Sequence, residues 1–221
     1  SALAIIRLMQ ASPKASSTTA LLVLVGFVAV SAGLIFAATR GSKAPDIPGL
    51  LWPDPPVLAN FSLQGSAGKP IDQHSLEGRW TLLFFGFTNC PDVCPTTLAV
   101  LKQTVARLAD YPPFREQGQV LFISLDPARD TPAQLAQYVQ HFDTRFLAAT
   151  GDDAALDAVT VPLGVIRAKI EDGSGGYSID HTASIFLIDP KLRVIGKFGL
   201  PHSAAMLDEG FRAITGFRGA Q

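Results

Sequence analysis

Cysteine is scarce in this chain: 221 residues contain two, and they stand close together at Cys90 and Cys94. Methionine is equally rare, and Met9 and Met206 lie too far apart in the chain to suggest a methionine-rich metal site. Residues 1–43 have no acidic side chain, only Arg7, Lys14, Arg40 and Lys43. Since the whole chain has 18 Lys+Arg and 19 Asp+Glu, residues 44–221 carry 14 basic against 19 acidic groups, a net charge of −5. A mildly acidic domain has no electrostatic reason to bind nucleic acid; basic proteins or metal ions suit it better. Internal repeats and low-complexity tracts are also missing, which leaves one sizeable domain and an appendage.

Charge is absent from Ala15 to Thr39, and between Ala20 and Ala38 the only polar side chain is Ser31. As a helix, Ala20 to Ala38 is about 29 Å long, close to the ~30 Å of bilayer hydrocarbon. A cleaved signal peptide is the rival reading, but its apolar region is shorter, roughly 7–15 residues. Ile35 to Thr39 also lacks a clean small-x-small cleavage site. Residues 1–43 are therefore expected to be a membrane anchor with a single transmembrane helix. The basic flanks lean only slightly toward an inside N-terminus. Pro45, Pro48, Pro53, Pro55 and Pro56 then disfavour helix and suggest an extended tether over 44–58.

From residue 59 to 221 short β-rich runs alternate with helical ones. Phe61-Ser62-Leu63 and the segment around Pro70-Ile71 read as an N-terminal hairpin turned between Gly65 and Gly68. Trp80 to Phe87 is a continuous apolar run, as in a strand buried on both faces. Pro95 to Leu108 places Leu98, Leu101, Val105 and Leu108 on one helical face, and Gln119 to Leu125 is a second buried strand. Thr131 and Pro132 suit the cap and first position of a helix ending near Phe142. A short strand at Phe146–Ala149 and a helix at Asp152–Val159 follow. Strands Ala183–Ile188 and Val194–Phe198, joined at Asp189-Pro190, lead to a last helix from Ser203 to Gly216. The pattern is that of an α/β domain with a mixed sheet, whose active groups belong at the carboxyl ends of strands. Cys90 to Cys94 occupy that place.

Cys94 falls at a helix start, where free N–H groups and the helix dipole favour a thiolate. If the first turn includes Cys90, both sulfurs share one face. Two readings follow. One is a dithiol that cycles with a disulfide, although the usual spacing has two intervening residues and here there are three. The other is a soft metal site, which suits Cu(I) or Zn, and with an added imidazole Cu(II) as well. Zinc prefers four closed ligands, so copper is the easier fit. Of the four histidines, His74, His141 and His202 read as solvent-facing. His181 precedes an apolar strand, and the residues alone leave it open as ligand or bystander.

Phe85-Gly86-Phe87-Thr88-Asn89-Cys90-Pro91-Asp92-Val93-Cys94-Pro95 resembles the copper-binding loop of the Sco/SenC family. Ser124 to Pro132 is similar to a second block of that family, and Asp180-His181-Thr182 before Ile185–Ile188 to a third. Three blocks in order, over roughly Pro56 to Phe217, make the match specific, and the N-terminal anchor agrees. The resemblance implies a thioredoxin-like fold and a copper ion held by Cys90, Cys94 and His181. It implies delivery of copper to the binuclear centre of cytochrome c oxidase subunit II, reduction of that centre's cysteines, or both. Other copper chaperones and thiol reductases are further implied partners. The implied setting is the bacterial inner membrane with the domain in the periplasm, or the mitochondrial inner membrane facing the intermembrane space.

Asp126, Arg129 and Asp130 of the second block are read as structural: the carboxylates cap the loop and following helix, and Arg129 pairs with one of them. Thioredoxin-like reductases generally carry a proline before the strand that faces their cysteines. His181-Thr182-Ala183-Ser184 has none, which favours metal binding over general disulfide reduction. A peroxiredoxin is disfavoured because Phe85 stands where that family's motif proline belongs.

Overall fold

A computed structural model of the chain describes residues 17–39, 50–51, 54–173 and 175–219, divided between Ala44 and Pro45 into two compact units. In the first unit, helix α1 spans Ser17–Thr39 and carries no charged residue. Its continuous described side chains, Leu21 to Leu34, cover about 21 Å of helix and, except for Ser31, are exposed. Among the described residues no helix is long and apolar enough to cross a membrane, so the expected transmembrane helix is not supported there. Arg7, Lys14, Arg40 and Lys43, which bear on its orientation, lie outside the described residues.

The second unit contains β1 (Leu50–Leu51), β2 (Ser62–Gly65), β3 (Pro70–Asp72), β4 (Trp80–Gly86), β5 (Gly118–Ser124) and β6 (Leu147–Thr150). Strands β7 (Arg167–Glu171), β8 (Tyr177–His181), β9 (Ile185–Ile188) and β10 (Val194–Phe198) follow. Eight of them form one mixed sheet in the order β1-β10-β9-β4-β5-β6-β2-β3, while β7 and β8 make a separate antiparallel hairpin. The α/β class, the N-terminal hairpin β2–β3 and the terminal hairpin β9–β10 are as expected. Strands β4 and β5 are central, and every residue from Leu82 to Phe85 and from Val120 to Ile123 is at most 1% exposed. This two-sided burial explains their unbroken apolar runs. They pair in parallel from Trp80↔Gly118 to Gly86↔Ser124, so both chains leave the sheet at the same level. The cysteine loop and the Ser124–Pro132 block therefore emerge side by side.

Helix α2 spans Val93–Arg107, α3 Pro112–Gln117, α4 Pro132–Phe142, α5 Asp153–Thr160 and α6 Ala204–Gly219. Helix α2 buries Cys94, Leu98, Leu101 and Val105, and Leu108 is buried just beyond its end. Thr131 and Gln134 form a reciprocal capping box at the start of α4, with Pro132 in the first turn. Three features had no counterpart in the sequence reading: β1, α3 and the β7–β8 hairpin. Part of the proline-rich segment also lies along the sheet edge. Leu50 and Leu51 pair with β10, the Val194 N–H donates to the Pro56 carbonyl (2.9 Å), and the Leu58 N–H donates to the Leu192 carbonyl (2.7 Å).

Candidate metal centre

The centre begins at Gly86, the last residue of β4. A Cβ there would sit 2.7 Å from the Cys94 sulfur and 2.8 Å from Cε2 of Phe122, so glycine is what allows the sulfur to press against the strand. The chain then turns, with the Cys90 N–H donating to the Phe87 carbonyl (3.3 Å). Helix α2 starts at Val93, which leaves Cys90 in the preceding turn and Cys94 in the first helical turn. Cys94 is fully buried, whereas Cys90 is half-buried on the rim. The two are joined by the Cys94 N–H, which donates to Cys90 Sγ at 3.4 Å.

At Cys94 the helix start, which favours a thiolate, is opposed by burial. Burial pushes the Cys94 thiol far above its ordinary value, and the Phe87 backbone hydrogen bond opposes this only in part. The helix-terminal N–H of Cys94 is directed at the Cys90 sulfur.

His181 arrives from the other side, as the last residue of β8. Its Nε2 lies 3.8 Å from Cys94 Sγ, and the edges of Phe84 and Phe87 pack against the ring at centroid distances of 6.4 and 6.1 Å. Burial holds the imidazole below its ordinary value, outweighing the upward pull of the Thr182 backbone and the Asp180 charge. Nδ1 is buried with no hydrogen-bond partner, so the Asp180 carboxylate does not orient the ring.

The two buried aspartates of the Ser124–Pro132 block face opposite ways. Asp130 accepts from the Thr88 N–H (2.9 Å) and from the hydroxyls of Thr88 and Ser124, which ties down the cysteine loop. Asp126 accepts from the Tyr177 hydroxyl (2.8 Å) and from Arg129 Nε. The Arg129 Nη1 donates to the Tyr177 carbonyl (2.9 Å), and its guanidinium lies 3.7 Å over the Tyr177 ring. The block is structural, as expected, but the capping role belongs to Thr131 and the carboxylates act on distant segments. Of the other histidines, His202 is not solvent-facing. Its Nε2–H donates to the Phe198 carbonyl (3.3 Å), leaving Nδ1 to accept from the Thr97 hydroxyl (3.2 Å).

Cys90, Cys94 and His181 thus meet in one corner, with Cys94 and His181 as its inner pair. Among the described residues, no three His, Cys, Asp or Glu side chains are grouped closely enough to hold a metal ion together. The inner pair itself fits a metal. Bonds of about 2.3 Å to sulfur and 2.0–2.1 Å to nitrogen, opened to a trigonal angle, separate the two donors by roughly 3.8 Å, as found here.

Residues 53–215 match the family described as SCO1/SenC. An SCO2-like protein of Rickettsia conorii is 32% identical over 158 residues, covering 71% of this chain and 76% of that protein. The mitochondrial SCO1 homolog 1 of Arabidopsis thaliana is 32% identical over 154 residues, 68% of this chain, and the match spans 44% of that longer protein. Among solved structures, that of Arabidopsis thaliana ScoI with copper bound is similar at a TM-score of 0.67 and 30% identity, covering 73% of this chain and 99% of the other.

Proposed function

The chain belongs to the SCO1/SenC family, and we propose that it is a copper metallochaperone that assists assembly of the binuclear copper centre of cytochrome c oxidase, with subunit II as its acceptor. One observation carries the reading: the buried Cys94 sulfur and His181 Nε2 face each other at 3.8 Å. That is a soft and a borderline donor, suited to copper in either oxidation state. Cys90, half-exposed on the rim, supplies the second thiolate by leaving the Cys94 amide. Its exposure gives an acceptor's ligands a place to begin exchange. The domain is held at the inner membrane through residues 1–43, whose run from Ala15 to Thr39 has no charged side chain. The domain faces the periplasm or the intermembrane space, where other copper chaperones load it and thiol reductases keep its cysteines reduced.

Copper titration of the reduced chain in detergent tests this. The expected result is one copper per chain, with a thiolate-to-copper absorption band that is lost in Cys90→Ser or Cys94→Ser and altered in His181→Ala. Absence of stoichiometric binding by the reduced wild type overturns it.

A second reading, thiol–disulfide exchange, draws on the N–H that supports the Cys90 sulfur. Cys90 thiolate attacks the acceptor disulfide to give a mixed disulfide and releases one acceptor thiol. Cys94, losing its proton, then displaces the second, so two electrons and two protons pass to the acceptor. Reduction of a disulfide-bonded acceptor that persists undiminished in His181→Ala favours this reading.

A further inference from the structure

We infer that Arg129 is a positioning residue for His181, holding the hairpin that carries this histidine against the cysteine loop. The inference rests on the copper reading above and names how its third ligand is kept in place.

The β7–β8 hairpin forms no backbone ladder with the eight-stranded sheet. Its placement depends on the short link from His181 to β9, on the buried Ile179 and on polar side chains, and a groove of about 400 Å³ lined in part by Asp126, Asp157, Arg167, Tyr177 and Ile179 runs beside it. Two polar anchors cross that gap. In one, Arg167 bonds Asp153 and Asp157 at 2.9 and 2.8 Å, but those carboxylates are 81% and 57% exposed. Exposed pairs of this kind contribute little. The other anchor is built on Asp126, whose side chain is 2% exposed. One oxygen accepts from the Tyr177 hydroxyl and the other from Arg129 Nε. Arg129 in turn bonds the Tyr177 carbonyl and lies over its ring. Charge-assisted bonds are the strong ones, and these are part-buried on a buried carboxylate, so this is the stronger of the two polar anchors.

Tyr177 starts the strand that His181 ends. A second route is shorter: the guanidinium lies 5.9 Å from the Phe87 ring, and Phe87 packs edge-on against the His181 imidazole. With Nδ1 unpartnered, the ring's angle is set by packing against Phe84 and Phe87, and Arg129 supports the Phe87 side. Lysine cannot replace this fork, because it lacks the planar face over Tyr177 and has one nitrogen where Arg129 uses two, Nε and Nη1.

The test compares the wild type, Arg129→Gln, Arg129→Lys and Tyr177→Phe, all as full chains loaded with Cu(II). Loss of an outer partner of a metal ligand costs about 10–100-fold in affinity. Copper dissociation should therefore rise at least about tenfold in both Arg129 variants, and several-fold in Tyr177→Phe. The electron paramagnetic resonance spectrum should shift toward that of His181→Ala. In a His181→Ala background the same Arg129 substitution should add nothing. Equal loss in both backgrounds, or an unchanged spectrum and rate in a folded Arg129→Gln, overturns the inference. If the Arg129 variants do not fold, Tyr177→Phe removes a single hydroxyl and carries the test. His181 side-chain nitrogen shifts in the copper-free protein give a readout independent of binding. Failure of the wild type to bind copper would instead defeat the metallochaperone reading itself.

Discussion

The Cys94 sulfur rests on the backbone of Gly86, at a place where an added Cβ would come within 2.7 Å of it. The strand end and the helix start are packed as closely as their atoms allow, and that contact presents the sulfur to His181. Gly86→Ala must push either Cys94 or Phe122 aside. Overpacking of this kind costs about 1–3 kcal/mol, which denaturant unfolding would register. Copper affinity should fall more than in a glycine-to-alanine change at exposed Gly216, where nothing lies within 4 Å of the added carbon. Equal affinity in the two variants would remove the positional role given to Gly86.

The two thiols should behave differently. Cys90 is half-exposed and Cys94 buried, with the Cys94 thiol held well above its ordinary 9.0. Alkylation of the reduced, metal-free protein near pH 8 should modify Cys90 first, by about tenfold or more in rate. The raised value also has a stability consequence. Below pH 9 the protonated Cys94 contributes its full share; above it, the unfolded chain ionises and the folded one resists, so stability declines as pH rises. Unfolding curves between pH 7 and 10 for wild type and Cys94→Ala check this, the variant having the shallower alkaline decline.

How far the site could be read from sequence depended on whether its causes were local. Thr131, Pro132 and Gln134 announce a helix start because capping is settled within four residues. Trp80 to Gly86 announces a central strand because burial on both faces demands an apolar run. Arg167 to Glu171 alternates charged with apolar side chains and is largely exposed, so its strand character comes from pairing with β8 and was not legible. Cys94 is similar: its helix start is local, whereas the burial that raises its thiol comes from the packed core. Asp126 and Asp130 read as caps of their own loop, yet their partners Tyr177 and Thr88 lie 51 and 42 residues away.

Asp130 should be the most costly of these residues to remove. Asp130→Ala leaves the Thr88 N–H and the Ser124 hydroxyl without their acceptor and the Thr88 hydroxyl with only Asn89 Oδ1. Unsatisfied groups of this kind cost roughly 2–4 kcal/mol together, and the loop bearing Cys90 loses its tie to β5. Asp130→Asn keeps one acceptor oxygen and should lose less. Urea unfolding of both variants orders them, and an Asp130→Ala protein as stable as wild type would mean that the loop is held by other contacts.

The histidines set the acid limit. Burial holds both His181 and His202 below the ordinary imidazole value of 6.5. Below that pH the unfolded chain takes up protons that the folded domain refuses. Their contribution to stability is therefore complete above pH 6.5 and lost as pH falls through the depressed folded values. Urea unfolding of the reduced, copper-free protein at pH 7.5, 6.5 and 5.5 should show that decline, and His181→Ala should make it shallower. Side-chain nitrogen shifts give the midpoint directly, and for His181 it should lie below 6.5. A neutral ring keeps its lone pair for a metal, so the His181-dependent part of the Cu(II) spectrum should persist as pH is lowered past 6.5. A His181 midpoint above 6.5 would mean that the ring is solvated and free to turn, contrary to its packing between Phe84 and Phe87.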